Sequence, residues 1–182
     1  MATEREQAII KVAESMIREG GYNSFSFRNI ATEIGIKSSS VHYHFATKED
    51  LAAAVARSYT ERFLDSLGDP RQLLDQGRAP LQAFVSAFRT ALIKDKAMCL
   101  CGLLGSEAEI LPDAVLQETR RFFDRNREWL ETAYQLYDVE DNADRAVQTL
   151  ALLEGAMMLA NVMADPDLFD RVAEPITQVW EQ

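Results

Sequence analysis

Apolar residues return every three or four positions along most of the chain, and turn signals are few. Ile9, Val12, Ala13, Met16 and Ile17 share one helical face, and Gly20-Gly21 ends that helix. Ser26 is placed to cap a second helix over 27–34, which Gly35 stops. A short third helix follows over 38–44. Thr47-Lys48-Glu49-Asp50 has the Ser/Thr-x-x-acid form of a capping box, opening a fourth helix that carries Leu51, Val55, Tyr59 and Phe63 to about residue 67. Gly68-Asp69-Pro70 interrupts the pattern. Beyond it the spacing predicts helices over 70–76, 80–96, 102–110, 112–137, 141–164 and 167–181. Pro80, Pro112 and Pro166 stand near helix starts, where a missing N–H does no harm. Strand-like alternation is poorly supported. The expected fold is all-α, with a small amino-terminal domain over 1–48 and a larger helical domain over 49–182.

Composition narrows this further. Of 182 residues, 47% are apolar, enough for a packed core and against disorder. The net charge of −10 argues at first against nucleic acid. Its distribution reverses that argument: residues 1–48 carry six Lys/Arg and five Asp/Glu, so the acidity lies in the remainder. An acidic body is repelled by a phosphate backbone, which favours contact through the amino-terminal head alone. No signal-peptide pattern opens the chain. The most apolar window, from Leu150, is broken by Glu154 and Asn161 and is too short to span a bilayer, so no membrane partner is expected. Two cysteines, Cys99 and Cys101, give no disulfide scaffold and fit a reducing, cytoplasmic setting.

The segment from Gly35 to Leu51 holds three consecutive serines, two histidines around a tyrosine, and a lysine. A buried helix would carry Leu, Val and Ala there. Two short helices joined at a glycine are the helix-turn-helix pattern, whose second helix lies in the major groove of DNA. Ser38, Ser39 and Ser40 fall at that helix's amino-terminal end, where hydroxyls meet bases or phosphates. Tyr43 and His44 add hydrogen bonds and flat contact area. Ile30, Ala31, Ile34, Val41 and Phe45 would hold the two helices together. Lys48 stands in the first turn of the fourth helix, where the macrodipole disfavours a cation by ~0.3–1 kcal/mol. A phosphate there would reverse the sign. The alternative is a solvated lysine softened by Glu49 and Asp50. His42 and His44 are spaced i,i+2 and point apart, so no metal site is expected, and no cofactor motif is present. His42 reads as a packed or water-bonded imidazole within reach of phosphate.

The run from Ile9 to Leu51 resembles the amino-terminal domain of TetR-family transcriptional regulators. The resemblance rests on Gly20-Gly21-Tyr22, then Phe25-Ser26-Phe27-Arg28-Asn29-Ile30-Ala31, then Gly35-Ile36. It continues through Val41-His42-Tyr43-His44-Phe45 and Thr47-Lys48-Glu49-Asp50-Leu51. It implies that Lys48 contacts phosphate, that Ser38, Ser39, Ser40 and Tyr43 lie on the groove face, and that Arg28 and Thr47 sit near the DNA backbone. His42 stands where a tyrosine is usual, and Ser39 where a glycine is common.

For the larger part the resemblance implies dimerisation through the last two long helices and a pocket for an inducer. The dimer helices would present Leu150, Leu153, Met157, Ala160 and Met163 on one, and Val172 and Ile176 with Phe169, Val179 and Trp180 on the other. Small Gly155, Ala156 and Ala160 would permit close approach. The same stripe also reads as intramolecular core. Pocket candidates are Phe84, Phe88, Leu103, Phe122, Phe123, Trp129 and Met158, with Leu92 beside them. Cys99, at a small-residue helix start, resembles the cysteine of an electrophile- and oxidant-responsive subgroup. The competing account of Cys99 is a small buried hydrophobe. A Cys99–Cys101 disulfide is too tight a loop.

The function expected is a repressor, homodimeric on a palindromic operator and released by a small-molecule or electrophilic inducer. An enzyme is not expected: GxSxG, a Walker loop, a dinucleotide fingerprint and metal-ligand pairs are all missing from the sequence. A helical protein-binding module without DNA contact would explain the acidic body, but would leave the polar third helix and Lys48 without a role.

Overall fold

The computed structural model describes residues 3–93 and 98–178. Ten α-helices run in order over these residues: α1 Glu4–Gly20, α2 Phe27–Glu33, α3 Ser38–His44, α4 Lys48–Leu67, α5 Pro70–Asp75, α6 Pro80–Ile93, α7 Leu100–Ser106, α8 Asp113–Gln135, α9 Asn142–Val162 and α10 Asp167–Thr177. A short 3-10 turn spans Tyr22–Ser24. No strand occurs among the described residues, and none of their helices is long and apolar enough to cross a membrane. The fold is all-α, with a helix-turn-helix at its amino-terminal end. The expected residues 94–96 of the sixth helix and 179–181 of the last, with Val179 and Trp180, lie outside the described residues.

Helix ends follow local chemistry. Thr3 and Glu6 form a reciprocal capping box on α1, and the Ser26 hydroxyl accepts from the Asn29 N–H to start α2. Asp69 accepts from the N–H groups of Arg71 and Gln72, with Pro70 at the first helical position of α5. α7 departs from expectation. It begins at Leu100 and stops at Ser106 instead of running over 102–110. From there the chain tightens, Glu107 N–H donating to the Leu104 carbonyl and Ile110 N–H to the Glu107 carbonyl.

The chain divides into two compact units. One comprises the chain to Glu61 together with Leu100–Phe122, the other Arg62–Cys99 together with the chain from Phe123. The first therefore extends past residue 48. Leu51, Ala52, Val55 and Ala56 of α4 are buried, the Tyr59 ring lies 5.6 Å from that of Phe122, and Arg57 binds Glu118 through Nε and Nη2 at 3.0 and 2.7 Å. Its core also takes in Ile9, Ala13, Ile17, Ile30 and Val41.

The second unit packs α6, α9 and α10 against one another. Leu81, Phe84 and Phe88 of α6, Leu153 and Met157 of α9, and Phe169 of α10 are buried. Phe63, Phe84, Phe88 and Trp129 form a ring cluster with centroid separations of 5.3 to 5.9 Å. The Trp129 indole N–H donates to the Gly68 carbonyl at 2.7 Å, and the Tyr134 and Thr149 hydroxyls share a bond of 2.6 Å. Arg89 and Asp170 join α6 to α10 through two bonds of 2.6 and 2.9 Å.

Candidate nucleic-acid interface

α2 and α3 meet at a turn that only a residue free of a Cβ takes easily: Gly35 has φ 69°, and Ile36 N–H returns to the Ala31 carbonyl at 2.9 Å. Ile30, Ala31, Val41 and Phe45 are buried and clamp the pair, while Ile34 is half-buried. The opposite side of α3 is polar and open. Ser39 and Tyr43, one turn apart, are exposed, Tyr43 to 86%. Ser38, Ser40 and His44 are half-buried. The His42 imidazole is exposed and packs edge-on against Phe27 at 4.5 Å, and His44 packs edge-on against Tyr43 at 5.3 Å. Arg28 and Thr47 are exposed. Tyr43 is thus a large aromatic left outside the core.

Thr47 caps α4 reciprocally: its N–H donates to Asp50 Oδ2 and its hydroxyl accepts from the Asp50 N–H, both at 3.0 Å. Lys48 follows directly. Its ammonium is neither free in solvent nor ion-paired, since no carboxylate among the described residues pairs with it. It lies 4.7 Å from the centroids of both Tyr22 and Phe25, and partial burial lowers its pKa. The ring shelf is a feature the sequence reading missed. The cation thus sits at the amino-terminal end of α4, where backbone N–H groups already favour an anion. Among the described residues no group of three or more His, Cys, Asp or Glu side chains is placed to hold a metal ion.

The residues expected to line an inducer pocket fall in both units. Phe84, Phe88 and Trp129 stack in the second unit as core, and Phe122 and Cys99 are buried. Leu103 and Phe123 are half-buried. Leu103 and Phe122 belong to the first unit, the others to the second. An open cleft of about 700 Å³ in the second unit is bordered by Leu64, Arg71, Arg125, Glu128, Trp129 and Thr132, so of the expected set it takes in Trp129 alone. Met158 is 54% exposed on α9.

Most of the residues expected on the dimer helices take part in the packing of the single chain, and Met163 stays exposed. Leu150, Leu153, Met157, Ala160 and Ile176 are buried within the single chain, where α6, α9 and α10 meet, and Val172 is half-buried. α9 carries a second apolar stripe that stays open: Val147, Ala151, Met158 and Val162 recur at helical spacing, flanked by Leu152, Leu159 and Met163. Val162 and Met163 are 75% and 64% exposed. Apolar residues on more than one side of α9, interrupted by Glu154 and Asn161, are the signal that could have revealed this face.

Cys99 and Cys101 are free thiols, and both are buried. Cys99 hydrogen-bonds the carboxyl of Glu154, whose Oε1 is buried without a partner. Burial pushes that carboxyl from 4.5 up to about 7, and the Cys99 bond pulls it partly back. The raised value means that the unfolded chain ionises first. The stability this carboxyl contributes is therefore fully present below about pH 4.5 and is lost as pH rises toward 7, after which its effect is constant. Glu154→Gln, which keeps the shape, should remove this slope and raise stability above neutral pH by about 2–3 kcal/mol, read from thermal unfolding across pH. An unchanged slope would place the titration elsewhere.

Residues 9–55 match the sequence profile described as bacterial regulatory proteins, tetR family. The chain is 31% identical to a TetR transcriptional regulator from Legionella pneumophila, whose crystal structure it matches over 98% of its own length and 97% of that chain, with a TM-score of 0.87. A TetR-family regulator from Agrobacterium tumefaciens matches at 25% identity over 96% of both chains, with a TM-score of 0.81. Among curated proteins, the HTH-type transcriptional repressor KstR2 of Mycolicibacterium smegmatis is 33% identical over 85 residues. That stretch is 46% of this chain and 40% of the relative, so the match spans less than half the length of the curated protein. With the helix-turn-helix and the helical remainder both aligned, the chain belongs to the TetR family of transcriptional regulators, DNA-binding transcription factors and not enzymes.

Proposed function

We propose that the chain is a signal-responsive transcriptional repressor that binds a palindromic operator as a homodimer. The observation that carries the reading is the open polar side of α3, with Ser39 and Tyr43 outward, beside the Lys48 ammonium at the start of α4. α3 would enter the major groove, while Lys48, Thr47 and Arg28 meet the flanking phosphates and set the depth of entry. One head reads only a few base pairs. Two heads joined through the open stripe of α9 would read half-sites ~34–36 Å apart, or a multiple of that. The curated relatives carry the name of repressors, which supports repression over activation.

A small molecule acting without covalent chemistry is the favoured signal. Both thiols are buried and Cys99 is engaged with Glu154, so a bulky electrophile meets neither at the surface. The ring cluster around Phe84 would have to open to admit such a ligand, and that opening would couple its binding to the heads. A coupling of ~1–3 kcal/mol changes operator occupancy severalfold or more.

Selection of bound duplexes from a random pool tests the reading directly, followed by release assays with a panel of small molecules. A palindromic consensus is expected, with affinity falling steeply as salt rises. Lys48→Ala should weaken binding to every duplex alike, by roughly tenfold or more, and lower the salt slope by about one per head. Indifference of the purified chain to all duplexes in dilute buffer would end the proposal.

A further inference from the structure

The turn after α7 makes a contact that operator reading does not require. Glu107, the residue following α7, directs its carboxylate to the end of α1. Its Oε2 accepts from the Tyr22 peptide N–H at 2.8 Å, across 85 residues of sequence. A Cβ on Gly21 would lie 2.2 Å from Oε1 of the same carboxylate. The acid thus occupies the space that a side chain at position 21 would take. Gly21 has φ 77° and ψ −174°, a conformation open to glycine, and its own N–H closes α1 on the Ile17 carbonyl at 2.8 Å.

That pinned turn sets where the Tyr22 ring originates. Tyr22 and Phe25 meet edge-on at 6.1 Å, with the Lys48 ammonium 4.7 Å from each ring centre. Burial, and the charge of Glu49 after it, raise the Tyr22 phenol's pKa, so the ring faces the cation as a neutral aromatic. Asp50 is committed to the Thr47 cap and Glu107 to Tyr22, so neither draws the ammonium away. A lysine left to itself samples many rotamers and loses that freedom on meeting a phosphate. One held on two rings has already lost most of it.

We propose that Glu107 is a positioning residue for DNA binding: it pins the Gly21–Tyr22 turn, whose ring together with Phe25 presents the Lys48 ammonium to a backbone phosphate. The inference rests on the reading of Lys48 as a phosphate contact. A structural role alone would hold the turn without moving Lys48.

The test uses the full chain and a short random-sequence duplex at low salt, together with proton NMR of the Lys48 methylenes, which the two rings should shield. Glu107→Ala is expected to abolish the ring-current shift at Lys48, weaken duplex binding severalfold and flatten its salt dependence. Glu107→Gln, which keeps an acceptor for the Tyr22 N–H, should restore most of all three. Tyr22→Leu, which removes a ring without touching the pin, should reproduce the loss and covers the case in which Glu107→Ala unfolds. Loss of affinity with the Lys48 shift intact would overturn the proposal, as would a Gln variant no better than Ala. Lys48→Ala separates the two levels. If it weakens binding while Glu107→Ala does not, the phosphate contact stands and the positioning role falls. If Lys48→Ala is neutral, the phosphate reading fails and takes the inference with it.

Discussion

Met158→Glu is expected to leave the chain folded, monomeric and at least a hundredfold weaker on its operator. Met158 is 54% exposed in the single chain, at the middle of an apolar stripe that includes Val147, Ala151 and Val162, so the substitution leaves the intramolecular core untouched. In a two-fold dimer each helix meets its own copy, and one substitution places two carboxylates in the same interface. Burying an unpaired charge costs several kcal/mol, more than a modest interface can absorb. Without the partner, the second head no longer binds at the high local concentration that linkage provides, and avidity of ~10²–10⁴ disappears. Sedimentation and operator titration should report the change together, with the circular dichroism spectrum unaltered. Leu153→Glu makes the contrast, because Leu153 is fully buried among the chain's own helices and its loss should unfold the second unit. A Met158→Glu chain that remains dimeric would place the interface elsewhere.

Gly21→Ala is expected to destabilise the protein by ~3 kcal/mol, from a strained backbone of ~1–3 kcal/mol and a displaced charged hydrogen bond of ~1.5–3 kcal/mol. The backbone component follows from φ 77° and ψ −174°, which any L side chain resists. The second follows from the 2.2 Å approach of Glu107 Oε1 to the new methyl carbon, which must expel the carboxylate from the Tyr22 N–H. For a chain of this size the melting temperature should fall by ~6–12 °C. A double-mutant cycle with Glu107→Ala apportions the effect. The pair should cost less than the sum of its parts by ~1 kcal/mol or more, because the methyl group and the acid no longer compete. Additivity would show that only the backbone matters.

The amino-terminal head was legible because its signals are local. Ser26, Gly35 and Thr47 each act on N–H groups within a few residues, and the structure uses each as a cap or turn. The outward position of Tyr43 likewise follows from the burial of Val41 and Phe45 beside it. α9 was not legible in the same way. Its sequence supports two apolar stripes, and which one meets α6 and α10 is decided by packing that periodicity does not encode. α7 was drawn too long because Glu-Ala-Glu after Ser106 has good helix propensity. The chain leaves the helix there instead, and Glu107 serves the end of α1. That partner lies 85 residues away, beyond any local pattern. Lys48 fell between the two cases: its place at a helix start was readable, its seat on Tyr22 and Phe25 was not.

The interlock between Gly21 and Glu107 also constrains how this sequence can drift. A side chain at 21 meets both a strained backbone and the acid, and loss of the acid relieves only the second, while the acid keeps its partner only as long as position 21 stays bare. Neither site can be exchanged first without loss. Descendants of this chain should therefore hold glycine at 21 in either case, and an acid at 107 only where that glycine is kept, a one-way dependence across two stretches that share no neighbourhood along the polypeptide.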